Sequence, residues 1–185
     1  MPDRPPAWAL EPVRITGPDP AWPERAEELA AELHGLLGRW LRSDVLHIGS
    51  TAIPGLPAKP IIDLMATADD PDAAVANEQD AMADSSWFLV PPELDQRPWR
   101  RFVVRTDTAA RRRRAHLHLM RPGEPRWDEQ LTFRDRLRAE PALAAEYATL
   151  KARAAAEHPA DREAYTAAKA TFVRHVLRRC GSCEP

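Results

Sequence analysis

The sequence lacks the marks of a secreted or membrane-bound protein. It contains no run of about 18 apolar residues, the length that a membrane-spanning helix needs. Its N-terminal residues also lack the charged and then apolar design of a signal peptide. These absences argue against a membrane as a partner and favour a cytoplasmic protein.

Cysteine is scarce, and neither sign of charge is in large excess. Cys180 and Cys183 lie in a CGSC sequence, whereas a structural zinc site needs four ligands, so we interpret the pair as a reduced tail. The formal net charge of −2 argues against nucleic acid as a partner. Four consecutive arginines, Arg111 to Arg114, invite an RNA or phosphate interpretation, but so short a run favours a solvated hairpin tip.

What the sequence contains is typical of one globular domain. Of its 185 residues, 44% are hydrophobic and 29% are charged, which is enough apolar material for a core. We place the domain at residues 13–179, with an α/β core at 13–120 and a helical part at 121–179. A mobile segment, 1–12, is expected before it, and a tail, 180–185, after it.

Periodicity predicts the elements of this domain. Apolar residues recur at helical spacing from about Pro23 to Trp40, and a second helix is expected from about Asp72 to Ala83. Residues 66–72 are expected to form a turn. Short strands are predicted at 45–48, 61–65 and 87–90, an antiparallel pair at 101–106 and 115–120, and three helices at about 127–140, 141–158 and 160–179.

One stretch, His47 to Met65, has the order expected of an anion site. It reads HIGSTAIPGLPAKPIIDLM: a short strand, a small-residue turn, a proline-stiffened loop and a second strand with one acid. Gly49 lets the backbone approach a ligand closely, and Ser50 and Thr51 offer donors to an anion. The stretch predicts a phosphate pocket, unless it is only a tight turn with a capping serine.

Two charged residues of the same stretch complete the predicted pocket. Lys59 would supply a positive charge, and Asp63, flanked by apolar residues, could hold a cation that bridges to phosphates. His47 precedes the turn on the first strand, and we interpret it as a buried residue with an internal hydrogen bond. The pocket is therefore predicted to face a carboxylate.

The wording of this stretch resembles the GrpB-like family, within the DNA polymerase β-like nucleotidyltransferase superfamily. Gly49-Ser50 at the end of a strand and Asp63 on the next strand match the superfamily pattern. A DPAWP entry before the first helix and the later segments FRDRLRAEP, EYATLK and DREAYTAAKATFV extend the likeness from about Val13 to Leu177. The resemblance implies a small mixed sheet of nucleotidyltransferase type, with flanking helices and a helical C-terminal part.

The chain departs from the superfamily pattern at one position. A second acid is expected two residues after the first, on the same strand face, and Met65 occupies that position. The resemblance implies Mg²⁺ at Asp63 and a nucleoside triphosphate as a possible substrate. A lone carboxylate holds Mg²⁺ poorly, and nucleotidyl transfer usually depends on two or three carboxylates around the metal.

Later segments supply further candidates. His116 and His118 are two apart on one predicted strand, so both face the same side and could act as metal ligands or as an acid/base pair; the alternative is two structural histidines. Tyr165 and Lys169 share a helical face, and the similar Y-x-x-x-K of the family implies a phosphate contact, against an exposed surface pair. Arg134 of FRDRLR is a further phosphate candidate, against a surface ion network.

Three functions are consistent with these residues. The resemblance implies a nucleotidyltransferase-superfamily enzyme that acts on a phosphate-bearing or small polar molecule. Met65 and the histidines favour a rival, an enzyme independent of nucleotide and metal, in which Asp63 and His118 move protons to cyclise, dehydrate or rearrange a small molecule. A non-catalytic protein that binds a nucleotide or another anion is the third. A homodimer is a possible assembly.

Overall fold

A computed structural model describes residue 8, residues 11–12 and residues 14–178, apart from the side chain of Arg162. The predicted strand start at Val13 and the Cys180/Cys183 pair lie outside the described residues. Within them, the elements in chain order are α1 (Trp22–Leu37), β1 (Leu46–Ile48), β2 (Ile62–Thr67), α2 (Pro71–Asn77), α3 (Gln79–Asp84), β3 (Trp87–Leu89), α4 (Pro92–Asp95), β4 (Arg100–Thr106), β5 (Arg113–Met120), α5 (Pro125–Ala139), α6 (Pro141–Glu157) and α7 (Arg162–Arg178). None of the described helices is long and apolar enough to cross a membrane.

The five strands that the structure describes form one mixed sheet in the order β1-β2-β5-β4-β3. Strands β2 and β5 are parallel, and the other neighbours are antiparallel. The predicted α/β architecture, a small mixed sheet with flanking helices and a helical C-terminal part, is confirmed. The mixed pairing brings β2 and β5 together in the middle of the sheet, although the segment from α2 to β4 separates them in the sequence.

The two faces of the sheet bury different residues because side chains alternate along a strand. Helix α1 covers one face, where Leu33 and Leu37 pack with Leu64 of β2 and Leu117 of β5. Each fully buried leucine contributes roughly 1.5–3 kcal/mol to the stability of the fold. The next residue of β2, Met65, therefore faces the other side of the sheet, as Asp63 does.

Met65 is fully buried on that second face, where it packs with Ile48 and Met120. Asp63 and Met65 thus face the same side of the sheet, as predicted. The position that would carry a second acid is instead part of an apolar cluster, which Trp127 and Leu131 of α5 cover. An acid at this position would be removed from water.

The hairpin of β4 and β5 forms as predicted, and its tip contains the start of the arginine run. The Asp107 carboxylate accepts hydrogen bonds from the backbone N–H groups of Arg111 and Arg112, at 2.8 and 3.2 Å. This side-chain turn explains why the chain reverses at that point. The hairpin-tip interpretation therefore holds for Arg111 and Arg112, whereas Arg113 and Arg114 begin strand β5 and Arg113 is only partly exposed.

Two local predictions were wrong. Residues 66–67 continue strand β2, because β5 extends to Met120 and supplies a partner for Thr67. The predicted helix from Asp72 to Ala83 is two short helices that meet at Glu78. The Glu78 carboxylate accepts a hydrogen bond from Trp40 Nε1, in the turn after α1, at 2.9 Å, and this contact accompanies the break.

The helical part fixes the loop between β1 and β2 through backbone carbonyls. Arg138 donates to the carbonyl of Ala52 at 2.9 Å, and the buried Lys151 donates to the carbonyl of Pro57 at 2.5 Å. Burial, with Lys169 nearby, lowers the pKa of Lys151 to about 7. Buried carbonyls need such partners, so helices α5 and α6 hold the loop in one conformation against the sheet.

Candidate functional site

A cleft of about 560 Å³ lies between the second face of the sheet, the loop after β1, and helices α4 and α7. Nine of the ten predicted site residues line it: Gly49, Ser50, Thr51, Lys59, Asp63, His116, His118, Tyr165 and Lys169. Segments far apart in the sequence therefore meet around one space, as the prediction of a pocket facing Asp63 requires.

Gly49 allows the turn after β1 to lie directly against Asp63. Its φ of +70° and ψ of −168° fall in a region that is essentially restricted to glycine. A Cβ at this position would lie 2.6 Å from Asp63 Oδ2. The register explains the approach, since Ile48 of β1 pairs with Asp63 of β2. Any other residue here would displace the carboxylate.

Asp63 lies between the two histidines. His116, its neighbour in the parallel register, lies with Nδ1 2.8 Å from Asp63 Oδ1, and His118 Nε2 lies 3.8 Å from the same oxygen. Burial raises the pKa of Asp63, but the hydrogen bond from His116 and the nearby His118 outweigh burial and hold the pKa below its ordinary value. Asp63 is therefore a carboxylate at neutral pH.

The two histidines are both uncharged at neutral pH. Burial lowers the pKa of His116, although Asp63 opposes the shift. Burial also lowers the pKa of His118, to about 4, and Arg100 adds to that shift. His116 Nε2 is buried and has no hydrogen-bond partner among the described residues. Such a buried, unsatisfied nitrogen is uncommon in a native fold and marks a position of interest.

Two lysines face a single aromatic ring at the α7 side of the cleft. Lys59 Nζ lies 4.0 Å and Lys169 Nζ lies 3.9 Å from the centroid of the Tyr165 ring. Tyr165 is only 3% exposed, so the alternative of an exposed surface pair does not hold. Burial lowers the pKa of Lys169 to about 8, against the charge of Asp63. This lysine–tyrosine–lysine group places two positive charges beside the cleft.

The hydroxyls of the turn already have internal partners. Thr51 Oγ1 lies 2.9 Å from His47 Nε2, and a side-chain hydrogen bond joins Ser50 to Tyr147. His47 has the predicted internal hydrogen bond but is only partly buried, and this burial lowers its pKa to about 4. These internal hydrogen bonds hold the turn in place, and Gly49, Ser50 and Thr51 line the cleft.

Arg134 is the one predicted site residue that does not line the cleft. Its Nη1 donates to the backbone carbonyl of His47 at 3.0 Å, and its Nε donates to Asp135 at 2.7 Å. The arginine therefore fixes α5 to strand β1. Its proposed contact with phosphate has no support from this position.

The structure adds residues that the sequence reading missed, and Arg100 is the most important of them. Its side chain is buried, donates to Asp95 and lies with Nη1 2.6 Å from His118 Nδ1. Phe102 pairs with His118 across the β4–β5 ladder, so alternation places Arg100 and Phe102 on the histidine face. That signal was available once the hairpin register was assumed, whereas nothing in the sequence pointed to Asp95.

The donor set of the site differs from the one that Mg²⁺ prefers. One ligand atom each from Asp63, His116 and His118 lie within 4.8 Å of one another. Mg²⁺ takes oxygen ligands in a near-ideal octahedron, and this group offers one carboxylate and two imidazoles. With Met65 in the apolar cluster, the predicted Mg²⁺ site has no second carboxylate on β2.

Comparison with known proteins identifies the family. The sequence model described as GrpB protein matches residues 12–179. The chain belongs to the GrpB family. A UPF0157 protein of Pseudomonas aeruginosa is 35% identical over 176 residues, which cover 90% of this GrpB chain and 67% of the relative. The crystal structure of GrpB from Enterococcus faecalis superposes with a TM-score of 0.76 at 28% identity, over 90% of this chain and 96% of that one.

A longer relative contains a segment similar to this GrpB chain. A protein named dephospho-CoA kinase, from Mycolicibacterium paratuberculosis, is 32% identical over 196 residues, which cover 92% of this chain and 46% of that protein. This chain thus spans less than half of that relative's length. A cytoplasmic RNA terminal U-transferase superposes with a TM-score of only 0.47 at 12% identity, and nothing about activity follows from it.

Proposed function

We propose that this GrpB chain is an enzyme that binds a small phosphate-bearing molecule in the cleft and moves a proton of that molecule through His116. The observation that carries the proposal is the pair of Asp63 and His116, 2.8 Å apart, beside two lysines. The chemistry is that of the acid/base alternative, with His116 rather than His118 as the base.

The lysine–tyrosine–lysine group supports an anionic substrate. Lys59 and Lys169 both line the cleft, and the ammonium group of each lies within 4.0 Å of the centroid of the Tyr165 ring. Both lysines bring positive charge to the lining of the cleft, which favours an anionic ligand there. A phosphate group, with two negative charges and several acceptor oxygens, is such a ligand.

The state of His116 supports its role as a base. Ionised Asp63 can only accept hydrogen bonds, so His116 Nδ1 must carry the ring proton and Nε2 must hold the free electron pair. Because burial lowers the pKa of His116, this neutral form dominates at neutral pH. Nε2 is covered in this structure, so a substrate group that donates to it must displace the side chains over it, and Asp63 would then stabilise the imidazolium that forms.

The name of one relative supports a phosphate-bearing ligand. The chain is similar to a segment, less than half the length, of a protein named dephospho-CoA kinase. Among the described residues that line the cleft, arginine and lysine outnumber aspartate and glutamate by six to three, counting Lys59, Arg97, Arg100, Arg113, Arg126 and Lys169 against Asp63, Asp95 and Glu163. Both observations favour an anionic molecule over a neutral one.

Calorimetry with pyrophosphate tests the anion site. Lys169→Met should weaken pyrophosphate binding roughly 10- to 100-fold, the effect of one charge-assisted contact. Arg174→Met is the matched control, because Arg174 is exposed on the same helix and does not line the cleft. Equal affinities for the two variants would contradict the anion site.

The proton transfer needs a separate test. Incubation with a panel of phosphorylated small molecules, followed by mass spectrometry, identifies a molecule that is consumed. His116→Asn keeps a donor for Asp63 but removes the base, so kcat should fall by roughly 10²- to 10⁴-fold with little change in KM. His175→Asn, on the exposed side of α7, is the control. Pyrophosphate binding with no turnover of any panel member would indicate a non-catalytic anion-binding protein.

Nucleotidyl transfer is the second candidate, and the proximity of potential ligands on Asp63, His116 and His118 favours it. Calorimetry with ATP, in the presence and absence of Mg²⁺, separates the candidates. ATP binding that tightens with Mg²⁺ would favour nucleotidyl transfer. Binding that does not depend on the metal favours the acid/base enzyme.

A further inference from the structure

Arg100 is held without freedom to rotate at the back of the cleft. Its Nε and Nη2 donate to the two carboxylate oxygens of Asp95, at 3.0 and 2.6 Å, and both side chains are buried. Its guanidinium carbon lies 3.9 Å from the centroid of the Phe102 ring and 5.0 Å from that of Trp99. Because these contacts occupy both the edge and the face of the guanidinium, the remaining nitrogen, Nη1, points in one direction only.

That nitrogen lies 2.6 Å from His118 Nδ1. Arginine stays protonated in proteins and has five N–H donors and no acceptor, so the hydrogen bond must run from Nη1–H to a free electron pair on Nδ1. With Nδ1 unprotonated, the ring is not the imidazolium but the neutral imidazole, which carries one ring proton. The proton of His118 is therefore left for Nε2, which lies 3.8 Å from Asp63 Oδ1.

We propose that Arg100, positioned by Asp95, fixes His118 as the tautomer with its proton on Nε2, so that His118 is a permanent hydrogen-bond donor in the cleft. His118 is then neither a base nor a metal ligand, because both roles need a free electron pair on Nε2. His116 has the opposite tautomer, with its free pair on Nε2. The inference concerns His118 and Arg100 alone, and it stands or falls separately from the proposed role of His116.

Opposite tautomers on alternate residues of β5 give the site one hydrogen-bond acceptor, His116 Nε2, and one hydrogen-bond donor, His118 Nε2. His118 would donate to an acceptor atom of the ligand, such as a carbonyl or phosphate oxygen, or to Asp63. The ligand class expected at this end of the cleft is therefore an acceptor-bearing group rather than a cation. Arg100 is a positioning residue here, since it acts through His118 and through its own fixed charge.

Nuclear magnetic resonance reads the tautomer directly. In a two-bond ¹H–¹⁵N correlation spectrum of the ¹⁵N-labelled full chain near pH 7, His118 should show a protonated Nε2 and an unprotonated Nδ1. The signals are assigned by comparison with His118→Asn. A His118 ring with its proton on Nδ1, or a doubly protonated ring, would overturn the proposal without any other variant.

Variants at Arg100 test the cause. Arg100→Met should give His118 a mixture of both tautomers, and Asp95→Asn should do the same in part, because the guanidinium is no longer held. Arg101→Met is the matched control: it removes the neighbouring arginine of β4, which pairs with Asp72 instead, and should leave the His118 signals in place. An unchanged tautomer in Arg100→Met would show that Arg100 is not the cause. If that variant does not fold, Asp95→Asn and the wild-type spectrum still decide.

A metal titration adds an independent readout. Zn²⁺, a diamagnetic probe for imidazole sites, should leave the ¹⁵N shift of His118 Nε2 in the range of a protonated nitrogen at equimolar concentration. A shift of Nε2 to the range of a metal-bound nitrogen, with His175 unaffected, would show that His118 can ligate a metal and would overturn the proposal.

Discussion

Gly49→Ala would place a methyl group against the carboxylate at the centre of the cleft. The backbone of Gly49 has a positive φ and an extended ψ, and a side chain in this region costs about 1–3 kcal/mol. The added Cβ would also lie 2.6 Å from Asp63 Oδ2, so the carboxylate must move. If that movement breaks the hydrogen bond from His116, a further loss of about 1.5–3 kcal/mol follows, the value of a hydrogen bond to a charged group.

Two other glycines separate these effects. Gly55 also has a positive φ, of +73°, but a Cβ there would meet no atom within 4 Å, so Gly55→Ala measures backbone strain alone. Gly35 lies inside α1 with open space around it, and Gly35→Ala should stabilise the chain by about 0.5–1 kcal/mol. The order of stability expected is therefore Gly35→Ala, wild type, Gly55→Ala and Gly49→Ala.

Urea unfolding and thermal melting measure this order. For a chain of this length a loss of 2 kcal/mol lowers Tm by roughly 4–8 °C, which is well within detection. The His116 ring signals should shift in Gly49→Ala and stay in place in Gly55→Ala. If Gly49→Ala is no less stable than Gly55→Ala, the close approach of the turn to Asp63 does not exist, and the proposed site loses its geometry.

Three further predictions concern buried groups. Met65→Asp should lower the free energy of unfolding by more than about 3 kcal/mol, because it leaves an uncompensated charge in an apolar cluster. Met65→Leu should lower it by less than about 1.5 kcal/mol. Urea unfolding measures both changes, and a Met65→Asp chain as stable as the wild type would contradict the burial of Met65. Lys151 has a pKa of about 7 in the folded state, against 10.5 ordinarily. Between pH 7 and pH 10.5 the folded state therefore binds fewer protons at this group than the unfolded state, so the free energy of unfolding rises with pH in this range. Lys151→Met should remove up to about 1.4 kcal/mol per pH unit of that rise, and an unchanged pH slope of unfolding would refute the assignment. His47 has a pKa of about 4, against 6.5 ordinarily, so it favours unfolding as the pH falls from 6.5 to 4. His47→Gln should therefore reduce the loss of stability over this pH range. A loss equal to that of the wild type would exclude His47 as a contributor.

The sequence predicted the parts of the site that depend on local pattern. Alternation along a strand is enough to place Asp63 with Met65, and His116 with His118, on shared faces. Spacing along a helix is enough to pair Tyr165 with Lys169. The glycine turn could be recognised because few residues tolerate a backbone that lies so close to another group.

What the sequence did not predict depends on contacts between distant segments. The opposite surroundings of His116 and His118 come from Asp63 on β2 and from Arg100 on β4, so their different states require the order and register of three strands. The role of Arg134 was missed for a similar reason, since its partner is a backbone carbonyl, which every residue carries. A strong local pattern in FRDRLR said nothing about where its side chains point.

The cleft is assembled from two parts of the chain that serve different ends. Asp63, His116 and His118 belong to neighbouring strands at the centre of the sheet, whereas Tyr165 and Lys169 belong to α7, near the end of the chain. Under the proposed function, substitutions at Tyr165 and Lys169 would therefore change which compound binds and leave the group of Asp63, His116 and His118 in place. The two parts of the cleft can thus be varied separately by mutation.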